Sequence, residues 1–183
     1  MAIRKFILSF LVLLGLSGCY ESQVAVYDSS EYFPYKGTFI CNIMGMGTKL
    51  LRIEEEKNGI IFPSYNYYLI DPKKNKKEKA FINKVDDDLY VSQEKSVGGD
   101  GVVRHQYYFF VADNDKEFFI AAGGSRGAGI RELAERYGVS IKKISRGMDK
   151  VYHLTGSKSG LQRFLENHDK NMVTPVASCR AER

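Results

Sequence analysis

Short runs rich in β-branched and aromatic residues follow one another from Gly37 to Ala122, and this pattern constrains the fold most. Turn-forming residues separate the runs at the spacing of an antiparallel meander. Asn58 and Gly59 are a residue pair typical of a two-residue hairpin turn. A sheet of this kind curls into a sandwich or a small barrel to cover its apolar face. The runs are GTFICNI, TKLLRIEE, GIIF, YNYYLI, KAFINKV, DLYVSQE, VVRHQYYFFV and EFFIAA.

The remainder of the chain carries two helical patterns. IRELAERYG, residues 130–138, places apolar side chains on one face and ends at Gly138, which accepts the left-handed conformation of a helix end. SKSGLQRFLENH, residues 157–168, begins with serines that favour a helix start. Between them DKVYHLTG indicates another strand. We therefore predict an α+β chain in which an antiparallel β-meander forms a sandwich or small barrel, with the helices grouped toward the C-terminus.

The N-terminus has the layout of an export signal. Arg4 and Lys5 supply positive charge, a continuous apolar run extends from Phe6 to Leu14, and small residues follow it. The run is too short to span a bilayer as a helix. We predict that residues 1–18 form a signal peptide that is removed.

Leu16-Ser17-Gly18-Cys19 resembles the lipobox of bacterial lipoproteins, in which the cysteine becomes the new N-terminus. The resemblance covers only this leader. It implies lipidation of Cys19, with a diacylglycerol on the sulfur and a palmitate-type chain on the amine. Each buried methylene adds about 0.8 kcal/mol of membrane affinity, so these chains form a stable anchor. Tyr20 stands where aspartate would retain the protein at the inner membrane, which implies the outer membrane, on its periplasmic or surface face.

Removal of the signal peptide leaves 165 of the 183 residues, enough for one core of normal size. Residues 19–36 have polar residues throughout, contain Pro34 and show no clear periodicity. We predict that they form a lipid-anchored tether. Residues 37–183 are predicted to form a single β-rich globular domain.

Two cysteines, Cys41 and Cys179, remain once Cys19 is modified. An even pair in an exported domain favours a disulfide because the compartment is oxidising. The bridge would dock the C-terminal tail as a strand or strap beside the N-terminal edge. In the alternative, Cys41 is a small buried apolar residue and Cys179 is a thiol on a mobile tail.

The stretch that contains Gly123, Gly127 and Gly129 lies between an apolar strand and a helix, and it resembles the cofactor fingerprint of the short-chain dehydrogenases. Only 54 residues follow Gly129, too few to complete that fold. The family's Tyr-x-x-x-Lys pair occurs only upstream of the glycines. We therefore expect no dinucleotide and no other cofactor. An anion-binding role remains open for Ser125, Arg126 and Gly127.

The sequence does not predict a metal site or a catalytic set. His105, His153 and His168 are far apart, and none has a second ligand at a spacing typical of metal binding. Residues 116–183 carry 13 Lys and Arg against 7 Asp and Glu, a charge that suits lipid headgroups, an acidic protein or nucleic acid. An exported lipoprotein seldom meets nucleic acid, so we expect no nucleic-acid partner.

These observations favour a non-catalytic binding or interaction module that is anchored to the membrane and engages another envelope protein. The alternative is a barrel-type carrier of a lipid or small apolar ligand. An envelope hydrolase is the third possibility, because a fold can assemble nucleophile and base from distant residues.

Overall fold

The computed structural model describes residues 19–61, 63–124, 129–146 and 149–182. The predicted signal peptide lies outside these ranges. Within them the chain forms eleven β-strands and two α-helices. The strands are β1 (Cys19–Ser22), β2 (Gly37–Ile43), β3 (Gly47–Asn58), β4 (Ser64–Asp71), β5 (Lys76–Asp86), β6 (Leu89–Val97), β7 (Val103–Asn114), β8 (Glu117–Gly123), β9 (Ser140–Arg146), β10 (Asp149–Thr155) and β11 (Val173–Ala181), and the helices are α1 (Ile130–Arg136) and α2 (Lys158–Glu166).

Eight of the strands form a closed antiparallel barrel. The neighbours follow the order β6-β5-β4-β3-β2-β11-β8-β7, and pairing between β6 and β7 closes the ring. Closure covers the apolar face of the meander and removes the exposed sheet edges. The predicted α+β architecture, with a small barrel and C-terminal helices, is therefore confirmed.

The hairpins of the meander define two ends of the barrel, because successive strands run in opposite directions. We call them the upper end and the lower end. The upper end carries the connections at residues 44–46, 72–75 and 98–102, and the lower end carries those at 59–63, 87–88 and 115–116.

A three-stranded extension leaves the barrel beside β7. The C-terminal half of β7 pairs with β8, whereas its N-terminal half pairs with β1, which is followed by β10 and β9. Tyr20 of β1 is buried, and its hydroxyl donates to the carbonyl of Gly124 at 2.6 Å. A Cβ atom at Gly123 would overlap the Tyr20 ring. The first glycine of the glycine-rich stretch therefore allows β1 to pack closely against β8.

The two helices cover the outer face of the barrel at β6, β7 and β8. Ser157 caps α2 by accepting a hydrogen bond from the amide of Gly160, and Gly138 follows α1 with a φ of 63°. Apolar side chains of both helices pack with Val91 and Phe109 on this face. Among the described residues, no helix has the length and hydropathy needed to cross a membrane.

The predicted strand GIIF is wrong, and so is the two-residue turn at Asn58 and Gly59. Asn58 pairs with Ser64, so five residues connect β3 to β4. Ile60 and Ile61 lie in this connection and are 98% and 83% exposed. The apolar letters of the run suggested a strand, but the register of β3 and β4 leaves them at the hairpin tip.

The segment predicted to be a tether packs against the domain. Gln93 of β6 holds it on the outer face, because its Oε1 accepts from the amides of Val26 and Tyr27 at 2.7 and 2.9 Å. The segment is therefore packed as part of the domain, which corrects the prediction of a tether that lets the domain stand off the membrane. Its buried side chains lie between polar residues and follow no period, so the sequence gives no signal for them.

The same segment then enters the barrel from below. The pairing between β4 and β5 ends at Tyr67 and Ala80, and the segment crosses between the two strands beyond this point. At the crossing, Ser30 forms a β-bridge with Tyr65 of β4, and the Ser30 hydroxyl accepts a hydrogen bond from the amide of Ile82 of β5. Beyond the crossing, the segment turns into the interior and closes its lower end with aromatic side chains.

The predicted disulfide between Cys41 and Cys179 is present. The two residues face each other directly in the β2–β11 ladder, and both are buried in the barrel core. As predicted, the C-terminal tail docks as a strand beside the first strand of the globular domain. The bridge joins the first and last strands of the barrel in chain order.

Candidate functional site

The interior of the barrel changes from aromatic at the lower end to charged at the upper end. Phe33 lies among the rings of Tyr90, Phe110 and Phe118, with centroid distances of 5.1, 5.2 and 6.4 Å. The Tyr35 hydroxyl lies 2.8 Å from the carbonyl oxygen of Asn114 at the lower rim. The lower half is therefore filled by protein side chains.

Polar side chains face the interior of the upper half, as the strand register shows. Glu94 of β6 lies opposite Ala80 of β5, which belongs to the interior core, and opposite Gln106 of β7. Residues directly opposite in antiparallel strands share a face, as do residues two apart in one strand. We call the resulting set the upper polar cluster; it consists of Glu21, Lys76, Glu78, Glu94, Arg104 and Gln106.

Glu94 is the most unusual member of the upper polar cluster. Its exposed fraction is 0%, and among the described residues neither carboxylate oxygen has a hydrogen-bond partner. Burial raises the pKa of Glu94 well above its usual range, the charge of Glu78 raises it further, and Lys76 opposes the shift. The interior therefore favours the protonated carboxyl.

Ser92 adds another oxygen to this part of the barrel. It precedes Glu94 by two residues on the same face of β6, and its Oγ is buried with no hydrogen-bond partner in the described part of the chain. Nearby, the Tyr108 hydroxyl donates to Oε1 of Gln106 at 3.4 Å. Ser92 and Glu94 thus present three buried oxygens in one row, and leaving such groups without partners is costly.

An ion pair lies above Glu94 on β5. Lys76 Nζ is 2.7 Å from a carboxylate oxygen of Glu78, and both side chains are partly exposed at the upper end. Lys76 is thus bound to Glu78, whereas the deeper carboxyl of Glu94 has no cation within hydrogen-bond distance among the described residues.

Glu21 connects the upper polar cluster to the three-stranded extension. Its carboxylate is fully buried, and Oε1 lies 3.3 Å from Nδ1 of His153 and 4.0 Å from Nε of Arg104. Arg104 also forms an ion pair with Asp100 in the connection between β6 and β7. Glu21 therefore has basic neighbours, in contrast to Glu94.

Exposed apolar side chains lie at two of the connections of the upper end. Met44 and Met46, in the connection between β2 and β3, are 74% and 43% exposed. Val97 and Val103, on either side of the connection between β6 and β7, are also exposed. We call these four residues the apolar rim. An apolar rim around charged groups is a chemical pattern suited to binding.

A concavity lies on the outer surface near the lower end. It has a volume of about 780 Å³ and is lined by Ile40, Lys116, Glu117, Arg180, Ala181 and Glu182. Its two basic and two acidic side chains balance each other, so it offers no charge by which to select a ligand.

The structure brings together few of the residues that the sequence singled out. Ser125, Arg126 and Gly127 lie outside the described residues, so their predicted anion site stays a prediction. Cys19, the predicted lipidation site, is the first residue of β1 and is 4% exposed. Cys41 and Cys179 form the disulfide and belong to the core.

The three histidines occupy separate places. His168 follows α2, where Phe164 O lies 2.8 Å from its Nδ1, and burial lowers its pKa to about 4. His105 is on β7 and His153 is on β10. In the described ranges, no group of three or more histidine, cysteine, aspartate or glutamate side chains is arranged to hold a metal ion.

The sequence carries little local signal for the upper polar cluster and the apolar rim. In DLYVSQE, Tyr90, Ser92 and Glu94 alternate, which is the only signal that they share a face. Polar residues at alternate positions normally indicate a solvent face. Here the helices cover the other face, and barrel closure buries this one.

Comparison of the chain with known protein families, with curated proteins and with solved structures gives no match. Its site is therefore interpreted from its own chemistry.

Proposed function

We propose that the protein is a non-catalytic binding module of the bacterial envelope, anchored in the outer membrane through Cys19, and that the upper end of its barrel binds a protein partner. The observation that carries the proposal is the exposure of Met44 and Met46 at the same end of the barrel as the upper polar cluster. Exposed apolar side chains rimmed by polar groups occur at interaction surfaces, and methionine adapts its shape to a partner.

The charged groups inside the upper end support the same role. Protein interfaces combine an apolar contact area with a small number of polar groups that fix orientation and specificity. Lys76 and Glu78 are partly exposed there, and the exposed Lys73 and Lys74 lie in the adjacent connection between β4 and β5. A partner that covers the apolar rim would therefore also meet charged groups of both signs.

A carrier of a small ligand is the second candidate, and the closed barrel favours it. The lower interior is occupied by Phe33 and the rings around it. Space for a ligand is thus expected only among polar side chains in the upper half. This chemistry suits a polar ligand better than a lipid, so the binding module ranks first.

The proposed anchor requires a local change at Cys19. In the structure its side chain is buried in the core and its backbone pairs with Val151 of β10. A diacylglycerol on the sulfur cannot fit in such a site, so we propose that β1 begins at Tyr20 in the acylated protein. Because Tyr20 is buried, the domain would lie close to the membrane surface.

Cys19→Ser should abolish lipid attachment and release the protein from washed membranes, because serine lacks the thiol that is acylated. Metabolic labelling with radioactive palmitate, followed by membrane fractionation, measures both effects. Globomycin, which blocks the lipoprotein signal peptidase, should cause the full-length precursor to accumulate. Palmitate incorporation into the Cys19→Ser protein would show that the anchor is assigned to the wrong residue.

Two aspartates in place of Met44 and Met46 should abolish capture of the envelope partner, since they place charge in the apolar rim. Chemical cross-linking in intact cells and mass spectrometry of purified complexes measure the capture. The matched control is Ile60→Asp with Ile61→Asp, which changes two exposed apolar side chains at the lower end. The proposal fails if the wild type yields no specific partner, or if both double variants capture it equally.

A further inference from the structure

We infer that the upper end of the barrel binds a primary ammonium group, with the Glu94 carboxylate as its counter-ion. The inference rests on the proposed role of this end as the binding surface. Both carboxylate oxygens of Glu94 and the Ser92 Oγ are buried without a hydrogen-bond partner among the described residues. All three are oxygens that accept hydrogen bonds from a suitable donor.

The neighbouring charged groups pair with one another and leave the Glu94 carboxyl without a hydrogen-bond partner among the described residues. From β5 it faces Lys76 and Glu78, which bind each other at 2.7 Å. From β7 it faces Gln106 and Arg104, and Arg104 is engaged by Asp100. The other ionisable groups at this end are Lys49 of β3, Asp71 of β4, Lys73 and Lys74 in the connection between β4 and β5, Tyr108 of β7, Cys19 and Glu21 of β1, and His153 of β10.

The upper end holds five carboxyls, of Glu21, Asp71, Glu78, Glu94 and Asp100, and five lysine and arginine side chains, of Lys49, Lys73, Lys74, Lys76 and Arg104. Among the described residues none of these cations is within hydrogen-bond distance of the Glu94 carboxylate. An anionic ligand would be repelled by Glu78, and a neutral ligand would leave Glu94 protonated. A cation can act as the counter-ion of the ionised form, which is the partner that Glu94 lacks among the described residues.

An ammonium group fits this position better than a larger cation. It is a compact charge with three donors, and the row on β6 offers three acceptor oxygens. Ala80, opposite Glu94, presents only a methyl group and no competing donor. Lys76 and Glu78 lie between Glu94 and the upper end on β5 and are partly exposed, so an ammonium group that enters from this end would pass them.

Binding is coupled to the release of one proton. Before binding, Glu94 carries a proton on its carboxyl. When the ammonium group arrives, the O–H bond of that carboxyl breaks, the proton goes to the buffer, and the carboxylate accepts hydrogen bonds from the ammonium. Affinity should therefore rise with pH by up to about tenfold per pH unit until Glu94 is ionised in the free protein.

The test is calorimetric titration of the purified full-length protein with methylammonium chloride, with sodium chloride as the control for ionic strength. We expect saturable binding that strengthens from pH 6 to pH 8 and releases a proton, measured in two buffers of different ionisation enthalpy. Glu94→Gln should weaken binding by about tenfold or more, because a charge-assisted hydrogen bond is lost. Glu132→Gln, an exposed change on α1, should leave the affinity unchanged.

A capped peptide with a central lysine, compared with the same peptide carrying norleucine, distinguishes the source of the ammonium group. If only the lysine peptide binds, the ammonium group is supplied by a lysine side chain of the partner. If methylammonium binds as well, free amines are also ligands of the site. If Glu94→Gln fails to fold, Ser92→Ala provides the second variant because it removes one of the three acceptor oxygens, so weaker binding supports the inference and unchanged binding contradicts it. If neither probe binds, or if Glu94→Gln binds both as wild type does, the inference is wrong. Capture of a partner through Met44 and Met46 would still support the proposed function.

Discussion

Replacing Cys41 and Cys179 together by serine should lower the free energy of unfolding by about 5 kcal/mol. The bridge spans a sequence separation of 138 residues, so it restricts nearly the whole unfolded domain. In the chain-entropy description, a loop of about 100 residues gives about 4.7 kcal/mol, and longer loops give slightly more. Urea unfolding monitored by circular dichroism measures the loss.

The wild-type protein unfolded in the presence of reductant is the matched control for this pair of substitutions. It should lose nearly the same stability as the double variant, because both lack the bridge. Peptide mapping without reductant should recover one linked pair that contains Cys41 and Cys179. A loss below 1 kcal/mol in both samples would contradict the assigned role of the disulfide.

The disulfide was predictable because its argument needs only counting and compartment. Cys19 is accounted for by the lipobox, which leaves Cys41 and Cys179 as a pair in an exported domain. The sequence could not give their register. Direct pairing of the two residues depends on β11 lying between β2 and β8, which is a long-range contact.

Most barrel strands were predictable because each has a local pattern of β-branched and aromatic residues bounded by turns. Strands β1 and β9 have no such signal. Their sequences, CYES and SIKKISR, consist largely of polar residues. Strand β1 is held by pairing with β7, and β9 is held by pairing with β10. Local propensity cannot reveal a strand that is held in place by its neighbours.

The N-terminal segment shows the same limit for burial. Phe33 fills the lower interior, yet it lies in EYFPYK, among residues that fit a solvated linker equally well. Its burial depends on the chain crossing between β4 and β5 beyond the end of their ladder. No local period encodes such a crossing, so the packing became visible only in the structure.

Glu94 has a consequence for stability that can be measured without a ligand. Its pKa in the folded protein is raised well above its usual range, mainly by burial, whereas the unfolded chain should ionise near the ordinary value of about 4.3. Between these two values the folded protein holds one more proton than the unfolded chain. The contribution of Glu94 to stability is therefore fully present below pH 4.3 and is lost as the pH rises through the folded-state pKa.

Glu94→Gln should therefore become more stable relative to the wild type as the pH increases above 4.3. The difference should grow by up to about 1.4 kcal/mol per pH unit, since glutamine has no proton to lose. Urea unfolding at a series of pH values measures this difference in the free energy of unfolding.

His168, whose lowered pKa of about 4 makes stability fall with decreasing pH, is common to both proteins, so its effect cancels in the comparison. Glu132→Gln should follow the wild-type curve, because Glu132 is 74% exposed. Parallel curves for wild type and Glu94→Gln would mean that Glu94 already has a counter-ion in the folded protein.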